Sequence, residues 1–539
     1  MRLFSLAFAA LLTSAGASAA SHSFDVVVYG GTAGGVLAAV SAAREGLRAA
    51  LLEPGAHLGG MVSSGLGFTD YGKKEVIGGY ALEFYLRAGR HYQLAQYAQK
   101  IAWLHEPGVA EAIFNGMARE AGVTVFLHAR LREHGGVIKN GSRIASVIAE
   151  NGDAFNAKVF IDSSYEGDLM ANAGVSYIVG RESSATYGES LGGVRERTPL
   201  HQFLVSISPF DAANRLLPEI SSRTPPPAGS ADNAVQSYNF RLCLTDAPNR
   251  IPFVKPAAYD ANRYELLARL IAAREKAEGK TPALGTLMKI DRLPNGKTDV
   301  NNNGPFSTDY IGGSWDYPDA AYAHRDAIWQ AHKNYTQGLL YFLGNDERVP
   351  ALLRAEMSRS GLAPDEFTDT ANWPRQLYIR EARRMIGDFV MTQKDLQTDR
   401  TKPDPIGMGS YNSDSHNVER IVGPDGFVRN EGDMQVPVEP YQIPYRIMLP
   451  KRTEATNLLV PVAFSASHVA YSSVRMEPQY MILGQAAGAA AAMAITANSA
   501  MQDIATDKLT AKLRSQGAMM EYAPSAQDAA IRVLEARKR

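Results

Sequence analysis

The feature that most constrains this chain lies near its start. Phe24-Asp-Val-Val-Val-Tyr-Gly-Gly-Thr-Ala-Gly-Gly-Val-Leu-Ala-Ala-Val40 is followed, after a polar break, by Ala50-Leu-Leu-Glu53. A run of β-branched residues, a tight glycine turn, a helix of small side chains, a second apolar run and a terminal acid follow one another. That is the order of a dinucleotide-binding βαβ unit. Gly30 permits the sharp exit from the strand, and Gly35 lets the helix approach the sheet. Between them, Gly31, Thr32, Ala33 and Gly34 form a helix N-terminus whose free N–H groups and positive dipole end suit a pyrophosphate. Glu53 stands where a carboxylate can accept from ribose hydroxyls, with Pro54 directly after it. The middle glycine of the usual fingerprint is Thr32, so the loop reads Gly-x-Thr-x-x-Gly. A threonine there narrows the approach to the phosphate and brings a hydroxyl that could donate to it.

The next segment, His57-Leu-Gly59-Gly60-Met61-Val-Ser-Ser64-Gly65-Leu-Gly67, is dense in glycine. Such backbone can lie against a flat, bulky ring, and in two-domain flavoproteins the segment after the second strand passes under the isoalloxazine. Gly59, Gly60, Met61, Ser64 and Gly65 are the expected contacts. His57 is either a covalent flavin tether or a solvent-facing loop histidine.

Residues 1–20 read as a secretory signal: Arg2 supplies the charge, Leu3 to Leu12 the apolar core, and Ala17-Ser-Ala19-Ala20 the cleavage region. The apolar core is too short to span a bilayer. Export to a periplasm or the cell exterior is expected. Cleavage leaves about 520 residues, enough for one large two-part enzyme or two domains. The net charge of −1 argues against a nucleic-acid partner. Cys243 is the only cysteine, so no internal disulfide is available, and its alternating surroundings suggest a buried, inert thiol.

Along the chain, residues 109–121 read as an amphipathic helix, Val123–Leu127 as a strand carrying the cofactor candidate Val125, and Arg143–Ile148 as part of a hairpin. Val159-Phe-Ile-Asp162 is expected to return to the sheet, with Ser163 and Ser164 beside the cofactor. From about 195 to 440 prolines, aromatics and amides become frequent and the βαβ alternation is lost, which suggests a substrate-side region. Within it, 262–279, 320–343 and 347–360 are expected helices. Asn457–Val462 reads as a strand and Ser465–Pro478 as a polar loop. Met481-Ile-Leu-Gly484-Gln485-Ala486-Ala487-Gly488 opens a helix of very small residues, suited to close contact with sheet and cofactor rather than to a membrane. Its N-terminus can stabilise charge at the flavin N1/O2 edge.

Several of these pieces together resemble the secreted bacterial FAD-dependent oxidoreductases of the FAD_oxidored type, some of which carry a "xanthan lyase" label. The matching segments are Tyr29–Val36, Leu58–Met61, Phe160–Ala171, Tyr187–Ser190, Leu377–Met385, Tyr445-Arg446, Ser467–Tyr471, Arg475–Pro478 and Gly484–Gly488. The resemblance implies bound FAD and an α/β fold: a glutathione-reductase-like Rossmann FAD-binding domain with a large inserted α+β substrate domain. The expected division is 1–20 signal peptide, 24–194 and 441–500 FAD-binding parts, 195–440 substrate or cap region, and 501–539 helical tail. The resemblance names no substrate, and nothing in these residues supports lyase chemistry.

A flavin dehydrogenase needs a group that takes a proton from the substrate while hydride moves to N5, and positive charge near N1/O2. His416 and His468, each in a polar stretch, are the candidate bases. Arg475 is a candidate for neutralising the flavin or an anionic substrate; a salt bridge to Glu477 or Glu439 is its structural alternative. Arg380, Arg383 and Arg384 stand at helical spacing, with one or two facing the site and the rest pairing with acids such as Glu381. Asp299-Val-Asn-Asn-Asn-Gly304 resembles half of a calcium loop, but Tyr310 stands where the closing acid belongs, so no metal site is assigned. That loop, with Trp315, Asp316 and Tyr317, could instead meet a sugar. The expected activity is oxidation of a CH–OH or CH–NH group of a small molecule such as a sugar or polyol, with electrons passed to oxygen, a quinone or a carrier. The rival readings are a non-redox flavoenzyme and a binding protein with a vestigial cofactor fold.

Overall fold

The computed structural model describes residues 19–523 and 525–536. The signal-peptide expectation falls almost wholly outside the described residues. The core is a five-stranded parallel sheet in the order Leu458–Leu459, Val159–Asp162, Val26–Tyr29, Ala49–Leu52, Thr124–Phe126. Val26 pairs with Ala49 on one side and Val159 on the other, and Leu51 pairs with Val125. The Val26–Tyr29, Ala49–Leu52 and Val159–Asp162 strands are buried at every position, as their unbroken apolar runs require when both faces are covered. Val26 and Val28 point into the helical layer, while Val27 and Tyr29 point the other way. That second face packs on a smaller sheet ordered Ser21–Ser23, Ala154–Asn156, Arg143–Ile148, Val137–Asn140.

The helical layer is built on the Ala33–Arg44 and Glu477–Ala497 helices, which touch backbone to backbone. A Cβ on Gly34 would lie 2.8 Å from the Tyr480 carbonyl oxygen, one on Gly484 2.0 Å from that of Gly34, and one on Gly488 2.4 Å from that of Ala38. Ser41 Oγ donates to the Gln485 carbonyl at 2.8 Å. The Glu477–Ala497 helix is long and apolar enough to cross a bilayer, yet 78% of its apolar window is buried inside the protein.

The expected helices occur at Pro107–Ala121, Glu265–Glu278, Tyr322–Asn345 and Ala351–Ser358. Three segments differ from expectation, and the segment that resembled half of a calcium loop takes a definite form. The stretch Ser465–Pro478 is not simply a loop: Ser467 accepts from the Ala470 N–H and caps a helix over His468–Val474. Of Asn457–Val462, only Leu458–Leu459 pairs as strand. Arg380, Arg383 and Arg384 are not on a helix; residues 380–383 lie in no regular element, and Arg384–Met385 pairs antiparallel with Tyr177–Ile178. The calcium-loop candidate is a strand, Thr298–Asn302, hairpin-paired with Met288–Arg292, and Asp299 binds Arg241 through both oxygens at 2.7 Å.

The glycine contact between the two helices gives a direct test. Gly484→Ala should destabilise the protein by about 1–3 kcal/mol through overpacking, or prevent soluble accumulation. Gly285→Ala, where an added Cβ meets nothing within 4 Å, should leave thermal unfolding unchanged.

Candidate active site

The glycine turn closes at the C-terminal edge of the sheet. Gly30 adopts φ +94°, and a Cβ there would stand 2.6 Å from the Ser164 nitrogen. A Cβ on Gly35 would reach 1.9 Å from the Gly30 carbonyl oxygen, so this glycine is required by close packing. Thr32 caps the helix: its Oγ accepts from the Gly35 N–H at 3.1 Å and donates to the Ser163 carbonyl at 2.9 Å. The threonine proton is therefore committed to the protein and is not the phosphate donor the sequence suggested. Ala33 and Gly34, the first helical residues, keep N–H groups that no carbonyl of the helix can satisfy. Ser163 Oγ is buried with no hydrogen-bond partner among the described residues. Ser164 Oγ donates to Asp162 and accepts from the Gly167 and Asp168 N–H groups. The Glu53 carboxylate accepts from Gly31 at 2.7 Å and Gly55 at 2.6 Å. Burial raises Glu53 to about 7, although those two N–H bonds pull it down. An anion-seeking helix end, an orphaned hydroxyl and an acid at the end of the second strand fit a dinucleotide.

Gly59 donates to the Gly31 carbonyl at 2.7 Å, so the glycine-rich segment runs directly beside the turn. A Cβ on Gly60 would meet Tyr165 Oη at 2.4 Å. That hydroxyl accepts from the Met61 N–H at 2.9 Å and donates to Glu477 Oε1 at 2.6 Å. Glu477 Oε2 is buried without a partner among the described residues, and burial raises this carboxyl to about 8 against the Tyr165 bond. The sequence pointed further along the same helix, and there the structure corrects it. Gly484 is filled by the Gly34 backbone, and Gln485 binds the Tyr80 N–H at 2.7 Å and Gln516 at 2.8 Å. Ala486 and Ala487 are wholly buried in the apolar core. These four residues join helices; the residues at the helix start face the glycine-rich segment. Gly65 is likewise explained by protein packing, since a Cβ there would lie 1.9 Å from the Arg241 carbonyl oxygen. Val125 sits mid-strand opposite Leu51, and Ser64 is buried with its N–H on the Met61 carbonyl. Pro54 is only partly buried.

Two residues before Glu477, a buried polar cluster begins. Arg475 donates to Tyr378 Oη at 3.3 Å and to the Asp414 carbonyl at 2.7 Å, and pairs with neither Glu477 nor Glu439. The Arg380 guanidinium lies 4.7 Å from the Tyr378 ring centroid and 3.1 Å from Asp309 Oδ1. Asp309 Oδ2 lies 2.6 Å from His416 Nδ1. Burial pushes the Asp309 carboxyl up, but Arg380 and His416 pull it further the other way, to about 2. An ionised carboxylate only accepts, so His416 Nδ1 carries a proton toward Asp309 and the ring presents Nε2 on its other side. His201 lies parallel to His416, with 6.3 Å between ring centroids.

His468 forms a second pair of the same kind. Its Nδ1 lies 2.8 Å from Glu381 Oε2, and its backbone N–H donates to Glu182. Arg384 pairs with both Glu381 and Glu182, as the sequence anticipated for Glu381. Burial raises Glu381, but His468 and Arg384 outweigh it and hold the carboxyl at about 2. Gln236 bridges the two segments: its Nε2 donates to Glu381 at 3.0 Å, and its Oε1 accepts from the His416 backbone N–H at 3.0 Å. Arg383 faces away, onto Asp168 and Asp319. His57 is no loose loop histidine; both ring nitrogens are engaged, with Glu111 at 2.6 Å and Asp369 at 2.8 Å. Cys243 is buried, and burial pushes its thiol well up. Sequence reasoning missed Asp309, Gln236 and Tyr165. Asp309 stands in no motif, and only tertiary contact makes it a histidine's partner.

A family model described as FAD dependent oxidoreductase matches residues 25–513. The chain belongs to this family. It is an FAD-dependent oxidoreductase with a Rossmann-like FAD fold. No curated protein matches it. Among solved structures, Thermovibrio ammonificans THI4 matches at 20% identity and TM-score 0.21, over 30% of this chain and 66% of that one. The 3-ketosteroid-delta4-(5alpha)-dehydrogenase of Rhodococcus jostii RHA1 matches at 16% identity and TM-score 0.20, over 32% and 53%. Thioredoxin reductase of T. acidophilum matches at 22% identity and TM-score 0.17, over 26% and 35%. At these scores the likeness carries no argument about activity.

In this flavoprotein the buried Glu477 should be visible in the pH dependence of stability. Its folded value of about 8 lies above the ordinary 4.5, so the folded state holds a proton that the unfolded chain releases between those values. Stability from this group is complete below 4.5 and is lost as pH rises through 8. Thermal unfolding from pH 5 to 9 should show the midpoint falling by roughly 1–3 °C per pH unit across the window. Glu477→Gln should have a shallower slope; an identical slope would remove Glu477 as its source.

Proposed function

We propose that this protein oxidises a CH–OH or CH–NH group of a small carbohydrate-derived molecule outside the cytoplasm. FAD, when bound, supplies the two-electron acceptor. In this reading Ala33, Gly34 and Ser163 hold its diphosphate and Glu53 its ribose, while Gly59–Met61 and the start of the Glu477–Ala497 helix border the ring. Residues 195–440 form the substrate side of a glutathione-reductase-like fold. The N-terminal run of Arg2, Leu3–Leu12 and Ala17–Ala20 supports export to the periplasm or exterior. The final acceptor is oxygen, a quinone or a carrier, and nothing in the charge balance invites nucleic acid.

The observation that carries the chemical assignment is the His416–Asp309–Arg380 array beside Tyr378 and Arg475. Asp309 fixes the ring, and His416 Nε2 takes the substrate proton. Arg380 and Arg475 hold positive charge where the oxidised substrate and its partner gather electron density. His468 has the same form, but its carboxylate is shared with Arg384 and Gln236, and its helix is capped against Glu182. We assign it a positioning role. The cluster's buried orphans include donors, Arg380 Nε and Arg475 Nε, and an acceptor, Asn239 Oδ1. Three guanidiniums, Arg241, Arg380 and Arg475, stand among the carboxylates of Asp70, Asp299, Asp309 and Asp414. That balance suits a neutral hydroxylated ligand better than an anion.

Anaerobic mixing with a panel of sugars, polyols and amines should bleach the flavin absorbance with at least one of them. His416→Ala should keep its FAD and its yellow colour while bleaching about a hundredfold more slowly. If His416→Ala reduces within about threefold of the parent while His468→Ala is the slow variant, the base is His468.

A further inference from the structure

Away from the buried cluster, three surface clefts of about 730, 630 and 430 Å³ lie side by side. The first two share Ile178, Val179 and Asn233; Arg223 lines the second and third; Trp315 lines the first and third. They are therefore one groove folded around Trp315. The indole is held in place: its Nε1–H donates to the Val418 carbonyl at 3.1 Å, and the Arg223 guanidinium lies 4.5 Å from its ring centroid. Tyr177 and Tyr187, each half-buried, add further aromatic surface along the first two clefts.

The polar lining is nearly balanced in charge. Glu182, Glu219, Asp232, Asp316, Asp319 and Glu419 line the groove against the guanidiniums of Arg181, Arg223 and Arg420. Arg181 is already held between Asp232 and Glu431, and Arg420 by the Pro305 and Glu219 carbonyls and Asn430. The acids are held in turn: Glu182 by Arg384, Glu219 by Arg263, Asp319 by Arg383, and Glu419 lies 3.9 Å from Arg223. Little charge is left unpaired, which favours a neutral, hydrogen-bonding chain over an anionic one. Exposed Asn233 provides both a donor and an acceptor. A fixed indole, spaced phenol rings and charge-balanced polar edges match the alternating apolar faces and hydroxyl edges of linked pyranoses.

We propose that this groove binds a neutral oligosaccharide chain across Trp315. The site lies outside the Arg380–His416 cluster and goes beyond the proposed oxidation. At its floor Glu182, which pairs with Arg384 and accepts from the His468 N–H, connects it to the buried network.

The test is binding without turnover. FAD-loaded protein is titrated calorimetrically with neutral gluco-, manno- and xylo-hexasaccharides, and with a hexagalacturonate as the anionic counterpart. At least one neutral chain should bind, and the hexagalacturonate should not. Trp315→Ala should weaken that binding about tenfold or more, Trp315→Phe by less than about threefold, with FAD content and thermal unfolding unchanged. Should Trp315→Ala not fold, Asn233→Ala at the exposed shared wall should still weaken binding. The proposal is overturned if no neutral chain binds, if neither substitution alters binding, or if the anionic chain binds more tightly. Because nothing is oxidised in the measurement, failure here is separate from failure of the proposed reaction.

Discussion

Much of this structure depends on one contact, the bare backbone crossing of the Ala33–Arg44 and Glu477–Ala497 helices at Gly34, Gly484 and Gly488. The two helices come from opposite ends of the chain. Side chains at those glycines would hold them apart, and the start of the second helix would no longer lie beside the turn of the first. With the contact made, Met61, Tyr165 and Glu477 form one hydrogen-bonded group, and Gly60 packs against the Tyr165 hydroxyl. The richness of the second helix in alanine and glycine follows from this: short side chains give dispersion contact over a long interface without separating the backbones.

The buried charges obey a different constraint. Arg380, Arg384, Arg475, Asp309 and Glu381 are almost without solvent contact, and each costs several kcal/mol to desolvate unless it is paired. They are arranged as chains in which each carboxylate meets a guanidinium and a histidine. The pairing holds Asp309 and Glu381 ionised, and their ionisation fixes the proton on Nδ1 of each histidine. Gln236 donates to Glu381 of one chain and accepts from the His416 backbone N–H, so it holds the segment that carries the other. A network closed in this way gives histidines of defined orientation, which proton transfer requires. Glu477 is the contrasting case. It has a tyrosine instead of a cation, so burial wins and its proton stays.

Local signals were sound wherever the physics is local. The strand–turn–helix–strand order, the acid at Glu53, the parallel pairing of Val159–Asp162 and the helices at Pro107–Ala121 and Tyr322–Asn345 follow from periodicity and glycine chemistry within short windows. Misreadings arose where a segment's partner is remote. Arg380, Arg383 and Arg384 have helical spacing, yet no helix forms, and Arg384–Met385 pairs instead with Tyr177–Ile178, some two hundred residues earlier. The stretch after Ser465 reads as polar loop because its polar side chains are buried against carboxylates far away in sequence. Gly484 to Ala487 resembled a cofactor surface because close approach to a helix and close approach to a ligand require the same small residues.

The amino-acid sequence by itself determined the dinucleotide fold and the family, because a glycine turn between an apolar strand and a helix has few other uses. Tertiary structure alone decided which carboxylate serves which histidine, that the Thr32 hydroxyl faces the protein, and that Glu477 rather than Gln485 lies beside the glycine-rich segment. The reason is that a backbone conformation is chosen by neighbours along the chain. A proton's position is chosen by whichever charges the folded chain brings within hydrogen-bonding distance, and those come from segments with no sequence relation to one another.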